Sequence, residues 1–308
     1  MQVRYGSMRA FRRGFGWFCK PPQRPLRAPP PAIIGVMRIR RRLLLSMSLG
    51  VAVPALPAGA QQRRSLSDPL RLGVDLAPFD SGLAKALQQG FGRDTGLAVK
   101  LVAMPALPLL EALERGELDA ALTNVPEAEL RLERQGLAHD RQAIATGEFV
   151  LVGPAPRAKE KDPAAIAGLR HAAEALIQLR GAALAMPGAV TFLSAADGSG
   201  AHAREQALWR QAGLAPAAPW YAVADGKSSL IAQARARGAY ALVERGVWAA
   251  HGGAPLAVLV EGDPLLIEPL HVMRAFRSKH AAGQLFVAWF AGPKGRRVAA
   301  AQRGYRAV

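Results

Sequence analysis

The segment Thr191-Phe-Leu-Ser-Ala-Ala-Asp-Gly-Ser-Gly-Ala-His202 concentrates the residue types that could hold a ligand. Its first residues are apolar and β-prone, and Asp197-Gly-Ser-Gly200 can take the positive φ of a tight turn. From Ala203 the apolar residues Ala203, Ala207 and Leu208 return at helical spacing, and Gly213 is a fitting stop. A strand, a small-residue loop and a helix start in that order gather free backbone N–H groups at one point. An anion or a polar ligand group can be held there. The plainer reading is a strand–helix turn with Asp197 or Ser199 as its N-cap. Gly226-Lys-Ser-Ser229 enters a helix in the same way and offers a cation and two hydroxyls. It is not a P-loop, because Tyr221 stands where the first glycine of that motif belongs. Asp75 ends an apolar strand and could meet a cationic group or act as a hinge carboxylate. The six histidines lie scattered without metal-ligand spacing, and no nucleophile–base–orienter set is present. Neither metal, cofactor nor catalysis is expected, and an exported enzyme is the least favoured reading.

Alternating elements must position these loops. Apolar strands are expected at Leu70–Leu76, Ala98–Ala103, Leu118–Leu122 and Phe149–Gly153. Helices are expected from Asp80 to about Arg93 (Pro78 breaking the strand before it), over Leu109–Arg115 and from Pro126. Strand–helix alternation predicts a parallel sheet covered on both faces, an α/β fold. Beyond Pro154 the pattern predicts short helices at Asp162 and over His171–Leu179, then strands at Trp220–Val223, Ala239–Val243, Leu256–Val260 and Leu270–Met273, with two closing helices. A split layout accounts best for this order: residues 70–152 plus 256–308 form lobe 1, residues 153–255 an inserted lobe 2, with the ligand in the cleft between them.

The net charge of +17 suggests nucleic acid until its distribution is examined. Residues 1–60 hold eleven Lys/Arg and no acid; taking these from the 40 basic residues leaves 29 against 23 acids, a surplus of six. A nucleic-acid protein would carry its basic face on the folded domain, so that class is set aside. The leader instead reads as a signal peptide over 37–60: a basic Arg38–Arg42, an apolar Leu43–Leu56 and a small-residue Ala58-Gly-Ala60 cleavage site, with Met37 a candidate start. Cleavage near Ala60 would remove the single cysteine, Cys19, and deliver the chain to the periplasm.

Thr123-Asn-Val-Pro-Glu-Ala-Glu129, Phe149-Val-Leu-Val-Gly-Pro154, Asp197-Gly-Ser-Gly200, Gly238-Ala-Tyr-Ala-Leu242 and Val260-Glu-Gly-Asp-Pro264 together resemble the tungstate-binding proteins of ABC transporters, a group of type II periplasmic binding proteins. The resemblance spans nearly all of residues 70–303. It implies two α/β lobes closing on a small solute such as an oxyanion, which passes to a permease with its ATPase; the membrane is met only by docking. It also implies three ligand loops, at which this chain departs from the family. Val74-Asp75-Leu76-Ala77 replaces a hydroxyl-rich run, Pro105-Ala106-Leu107 a Gly-Thr-Gly, and Ala195-Ala196 an arginine position. The expected ligand contacts are therefore Asp75, Leu76, Ala106, Ser194, Ala195, Ser199, Gly200, Lys227, Ser228 and Ser229, with Lys227 in place of the missing guanidinium. A degenerate or sensor-type receptor for a different solute is the alternative.

Overall fold

The computed structural model describes residues 65–157 and 161–308, so the expected signal peptide and Met37 lie outside the described residues. The chain begins with β1 (Leu70–Val74), α1 (Leu76–Asp80) and α2 (Leu83–Thr95), then β2 (Val99–Ala103), α3 (Ala106–Arg115), β3 (Ala120–Thr123) and α4 (Pro126–Arg134). Pro78 does not break the chain as expected. It is the third residue of α1, where a missing N–H costs no intrahelical bond. The next helix starts at Leu83, after Gly82 at φ 83°, rather than at Asp80.

A 17-residue strand, β4 (Ala138–Pro154), carries the chain from one half of the molecule to the other. The second half contains α5 (Ala172–Ala185), β5 (Phe192–Ser194), α6 (Gly200–Gln211), β6 (Tyr221–Val223), α7 (Leu230–Arg237), β7 (Ala241–Glu244), α8 (Arg245–His251) and β8 (Leu256–Val260). β9 (Ile267–Ala275) brings the chain back to the first half. There it ends in α9 (Gly283–Ala291), α10 (Pro293–Ala300) and β10 (Tyr305–Arg306).

The sheet is mixed, not parallel. β1 pairs in parallel with β2 and β3, but β9 runs antiparallel to both β3 and β4. The reason is topological: the chain leaves the first half along β4 and returns along β9, so the two must point in opposite directions. The first part of β4 holds the polar stretch His139–Gln142, none of it buried, before the buried Ile144 and Ala145. No continuous apolar run marks it as a strand. Asp162-Pro163 forms a turn and not a helix; its carboxylate accepts from the Ala167 N–H at 2.9 Å and from the Tyr240 hydroxyl at 2.8 Å.

Separate cores lie in the two halves. In the first, Phe91 of α2 packs edge-on against Phe286 and Trp289 of α9, at ring-centroid distances of 5.2 and 5.7 Å. In the second, Trp209 packs against Phe192 and Trp220. Leu256, Leu259, Val260 and Leu266 are buried in the second half's cores. The return crossing thus lies after Val260, later than the residue-256 boundary read from the sequence. Phe91 is fully buried. Phe91→Ala is expected to cost about 3–5 kcal/mol through lost transfer energy and a cavity, measured by urea unfolding at an unchanged m-value.

Candidate functional site

Strand–helix junctions from both halves meet where the halves face each other. β1 passes into α1 at Asp75, which has extended N-cap geometry but whose side chain does not cap α1. Its carboxylate crosses instead to the other half, where Oδ2 accepts from the backbone N–H of Gly200, the first residue of α6, at 2.9 Å. Asp75 is wholly buried and its Oδ1 has no hydrogen-bond partner. Burial pushes its pKa up to about 7. The N–H groups of Gly200, Leu76 and Ala106 oppose that rise and Asp197 adds to it.

The start of α6 is built by local bonds. Asp197 Oδ1 accepts from the Ser199 N–H at 2.9 Å, and the Ser199 Oγ caps the helix by accepting from the His202 N–H at 3.3 Å. Gly198 takes φ 77°, as a turn glycine should, and its N–H donates to His202 Nδ1 at 3.1 Å. Gly200 has a different reason to be glycine. A Cβ there would stand 1.8 Å from Asn124 Oδ1 and 2.9 Å from Asp75 Oδ2, both across the junction. Two further ties hold the halves together: the Leu107 N–H donates to the Gly198 carbonyl at 3.0 Å, and Arg204 of α6 pairs with Glu268 of β9.

Beside this junction lies a cavity of about 950 Å³ at the C-terminal ends of β5, β6 and β7. Of the ten expected ligand contacts, Leu76, Ala195, Ser199, Ser228 and Ser229 line it. Asp75, Ala106 and Gly200 are not in its wall; they form the hydrogen-bonded junction next to it. Two further expected residues also lie outside the cavity wall. Ser194 is buried and its Oγ donates to Glu205 Oε2 at 2.7 Å, within a network that also holds Tyr221 and Trp209. Burial drives the Glu205 pKa upward against these bonds. Lys227 is exposed and outside the lining, in a turn closed by its own N–H to Asp225 Oδ1 at 2.9 Å. Ser229 caps α7 by accepting from the Ala232 N–H.

The sequence reading missed Glu244, the last residue of β7, which lines the cavity while only 2% exposed. Its Oε2 is buried with no partner. Burial pushes its pKa up to about 8, opposed by a hydrogen bond with Tyr305 and reinforced by Asp75. The Tyr305 hydroxyl also lies 2.9 Å from Ser81 Oγ. An acid directly after the apolar run Ala241–Val243, at a strand's C-terminal end, was the available signal. Arg235 and His251 also line the cavity, and Arg235 Nη2 donates to the His251 carbonyl at 3.1 Å.

Among the described residues no helix is long and apolar enough to cross a membrane. A family model described as a PBP superfamily domain matches residues 76–294. A Haloferax volcanii protein, provisionally assigned as an ABC transporter anion-binding protein, is 31% identical over 206 residues, 66% of this chain; the chain spans 57% of that protein's length. The tungstate-binding protein TupA of Peptoclostridium acidaminophilum is 28% identical over 238 residues, covering 75% of this chain and 79% of TupA. The solved structure of the tungstate ABC transporter from Geobacter sulfurreducens superposes with a TM-score of 0.64 at 30% identity, over 75% of this chain and 97% of that one. The mixed α/β architecture is accordingly that of type II periplasmic binding proteins. By the extent of the family match and the agreement in fold, this chain belongs to the PBP superfamily of periplasmic binding proteins.

Proposed function

We propose that this protein is the exported solute-binding component of an ABC transporter, delivering a small ligand to a permease and its ATPase from the periplasm. The observation that carries this reading is the cavity of about 950 Å³ at strand C-termini, beside a junction where loops of both halves bond to each other. Closure of residues 70–152 and their returning C-terminal elements onto the inserted half would convert binding into a shape the permease can recognise. The names of the haloarchaeal, clostridial and Geobacter relatives support the transport role.

The scaffold is that of an oxyanion receptor, and its ligand loops are altered. Leu76, Ala195, Ser199, Ser228 and Ser229 would contact the solute, while Asp75, Ala106 and Gly200 would fix the junction. The experiment is thermal unfolding of the processed protein against a panel of oxyanions, amines, amino acids and sugars. A ligand at a hundred times its Kd adds about 2.7 kcal/mol, a rise of roughly 5–10 °C for a chain of this size. One solute class that raises Tm supports the reading; no response from any class rejects it. Cell fractionation with N-terminal sequencing tests export and cleavage near Ala60.

A further inference from the structure

A free anion at the N-terminus of α6 would be held by the backbone N–H groups that open the helix. In this protein that place is already filled. Asp75, wholly buried and 125 residues away in sequence, puts its own carboxylate on the Gly200 N–H at 2.9 Å. A second anion arriving there would find the donor already taken by the Asp75 oxygen, and above about pH 7 it would also face a buried negative charge, which is costly. The charged groups around the neighbouring cavity point the same way: Asp80, Asp197, Asp225 and Glu244 line it against one guanidinium, Arg235, and one imidazole, His251. In the cavity wall Glu244 Oε2 is a buried acceptor without a partner, and Arg235 Nε is a buried donor without one whose guanidinium is outnumbered by the four carboxylates. An unpartnered buried acceptor calls for a donor.

A metal ion would meet that need only if several ligands converged, and among the described residues no group of three His, Cys, Asp or Glu does so. The apolar part of the wall is aliphatic, with Leu76, Val223, Ile231 and Val247 and no Phe, Tyr or Trp in the lining. That favours N–H donors on an alkyl body over a quaternary ammonium, which aromatic faces recognise. At about 950 Å³ the cavity is also far roomier than a tetrahedral oxyanion requires, and falls in the range of sites for small organic ligands.

We infer that the cavity takes a small aliphatic primary amine in its cationic form, with Glu244 accepting the ammonium and Asp75 excluding free oxyanions. The inference rests on the solute-receptor reading above and names the ligand class of that receptor. Glu244 is approached by Asp75 at the α1 N-cap and by Tyr305 of β10; Arg245 follows it in sequence, and His251 and Asp80 share the cavity. Burial holds a proton on Glu244 to about pH 8. An ammonium must displace that proton, so its affinity rises with pH.

The test is calorimetric titration of the processed protein with putrescine, cadaverine and ethanolamine, beside tungstate, molybdate and choline, at pH 6.5 and pH 8. The expected result is binding by at least one primary amine, roughly tenfold tighter at pH 8 than at pH 6.5, and none by the oxyanions or choline. Glu244→Gln should weaken the amine by about tenfold or more and flatten the pH dependence. Should that variant fold poorly, Asp225→Asn on the exposed rim, whose Oδ1 can still accept from the Lys227 N–H, should weaken amine binding about twofold with the unliganded Tm unchanged. Binding of tungstate or molybdate by the wild-type protein, or of sugars or amino acids while the amines fail, overturns the amine inference and leaves the receptor intact. Failure of every solute class overturns both.

Discussion

Gly200→Ala is expected to abolish solute binding, weakening it by about a hundredfold or more, while leaving helix α6 intact. The substituted Cβ would lie 1.8 Å from Asn124 Oδ1 and 2.9 Å from Asp75 Oδ2. Both atoms belong to the first half of the molecule and Gly200 to the second, so the extra methyl acts as a wedge between them. Alanine itself is a better helix former than glycine by roughly 0.5–1 kcal/mol, so the helix gains locally. The cost falls on the junction, where the Asp75–Gly200 bond at 2.9 Å and the Leu107–Gly198 bond at 3.0 Å must both lengthen. Calorimetric titration with whichever solute the wild type binds reads the loss, and small-angle scattering reads the opening. Asn124→Ala in the same chain should restore part of the affinity, because it removes the atom that the methyl strikes. A coupling of about 1 kcal/mol or more in that double-mutant cycle is the expected signature. Wild-type affinity in Gly200→Ala would show that the halves need not meet here.

Asp75→Asn is expected to raise Tm by roughly ten degrees at pH 8 and by almost nothing at pH 4. The sign follows from the direction of the shift. Burial raises the Asp75 pKa from 3.8 to about 7, so the folded state holds its proton more tightly than the unfolded chain. The stability linked to that proton is complete below pH 3.8, declines as pH rises, and is gone above about pH 7. At 1.36 kcal/mol per pH unit, the decline amounts to as much as about 4 kcal/mol. Asparagine keeps an acceptor oxygen for the Gly200 N–H and carries no charge, so the decline attributable to this position should vanish. A residual decline between about pH 4.5 and pH 8 is expected from Glu244, whose pKa is raised from 4.5 to about 8. Thermal scans of both proteins from pH 4 to pH 9 measure this directly. Parallel curves would mean that the Asp75 carboxylate is not desolvated as the structure places it.

The two substitutions probe different properties of one contact. Gly200→Ala tests whether the halves must approach closely; Asp75→Asn tests what the buried charge costs. Together they separate the mechanical role of the junction from its electrostatic one.

The strand–loop–helix of Thr191–Gly213 was legible in the sequence because every signal for it is local. Gly198 takes a positive φ, Ser199 caps α6, and apolar periodicity marks the helix. The same holds for α4, opened by Pro126 with Glu127 and Glu129 in its first turn, and for α7, stopped by Gly238 in the left-handed region. The helix starts that line the cavity through Ser199, Ser228 and Ser229 could therefore be named from residue types alone. So could the α/β class, since strand and helix periodicities differ along the chain.

Local signals did not reach the first part of β4, where His139–Gln142 is polar and unburied, nor the antiparallel course of β9, which depends on the chain returning from the second half. They did not show that Ser194 is spent on Glu205, or that Lys227 stands outside the cavity lining to which its neighbours Gly226 and Ser228 belong. Above all, they could not pair Asp75 with Gly200, or set Glu244 in the same cavity wall as Leu76. These groups lie more than a hundred residues apart and meet only through the way the two halves fold onto each other. Residue types alone name the helix start able to hold an anion. That the protein sets its own carboxylate there follows from packing, because burial and partnership belong to no single segment.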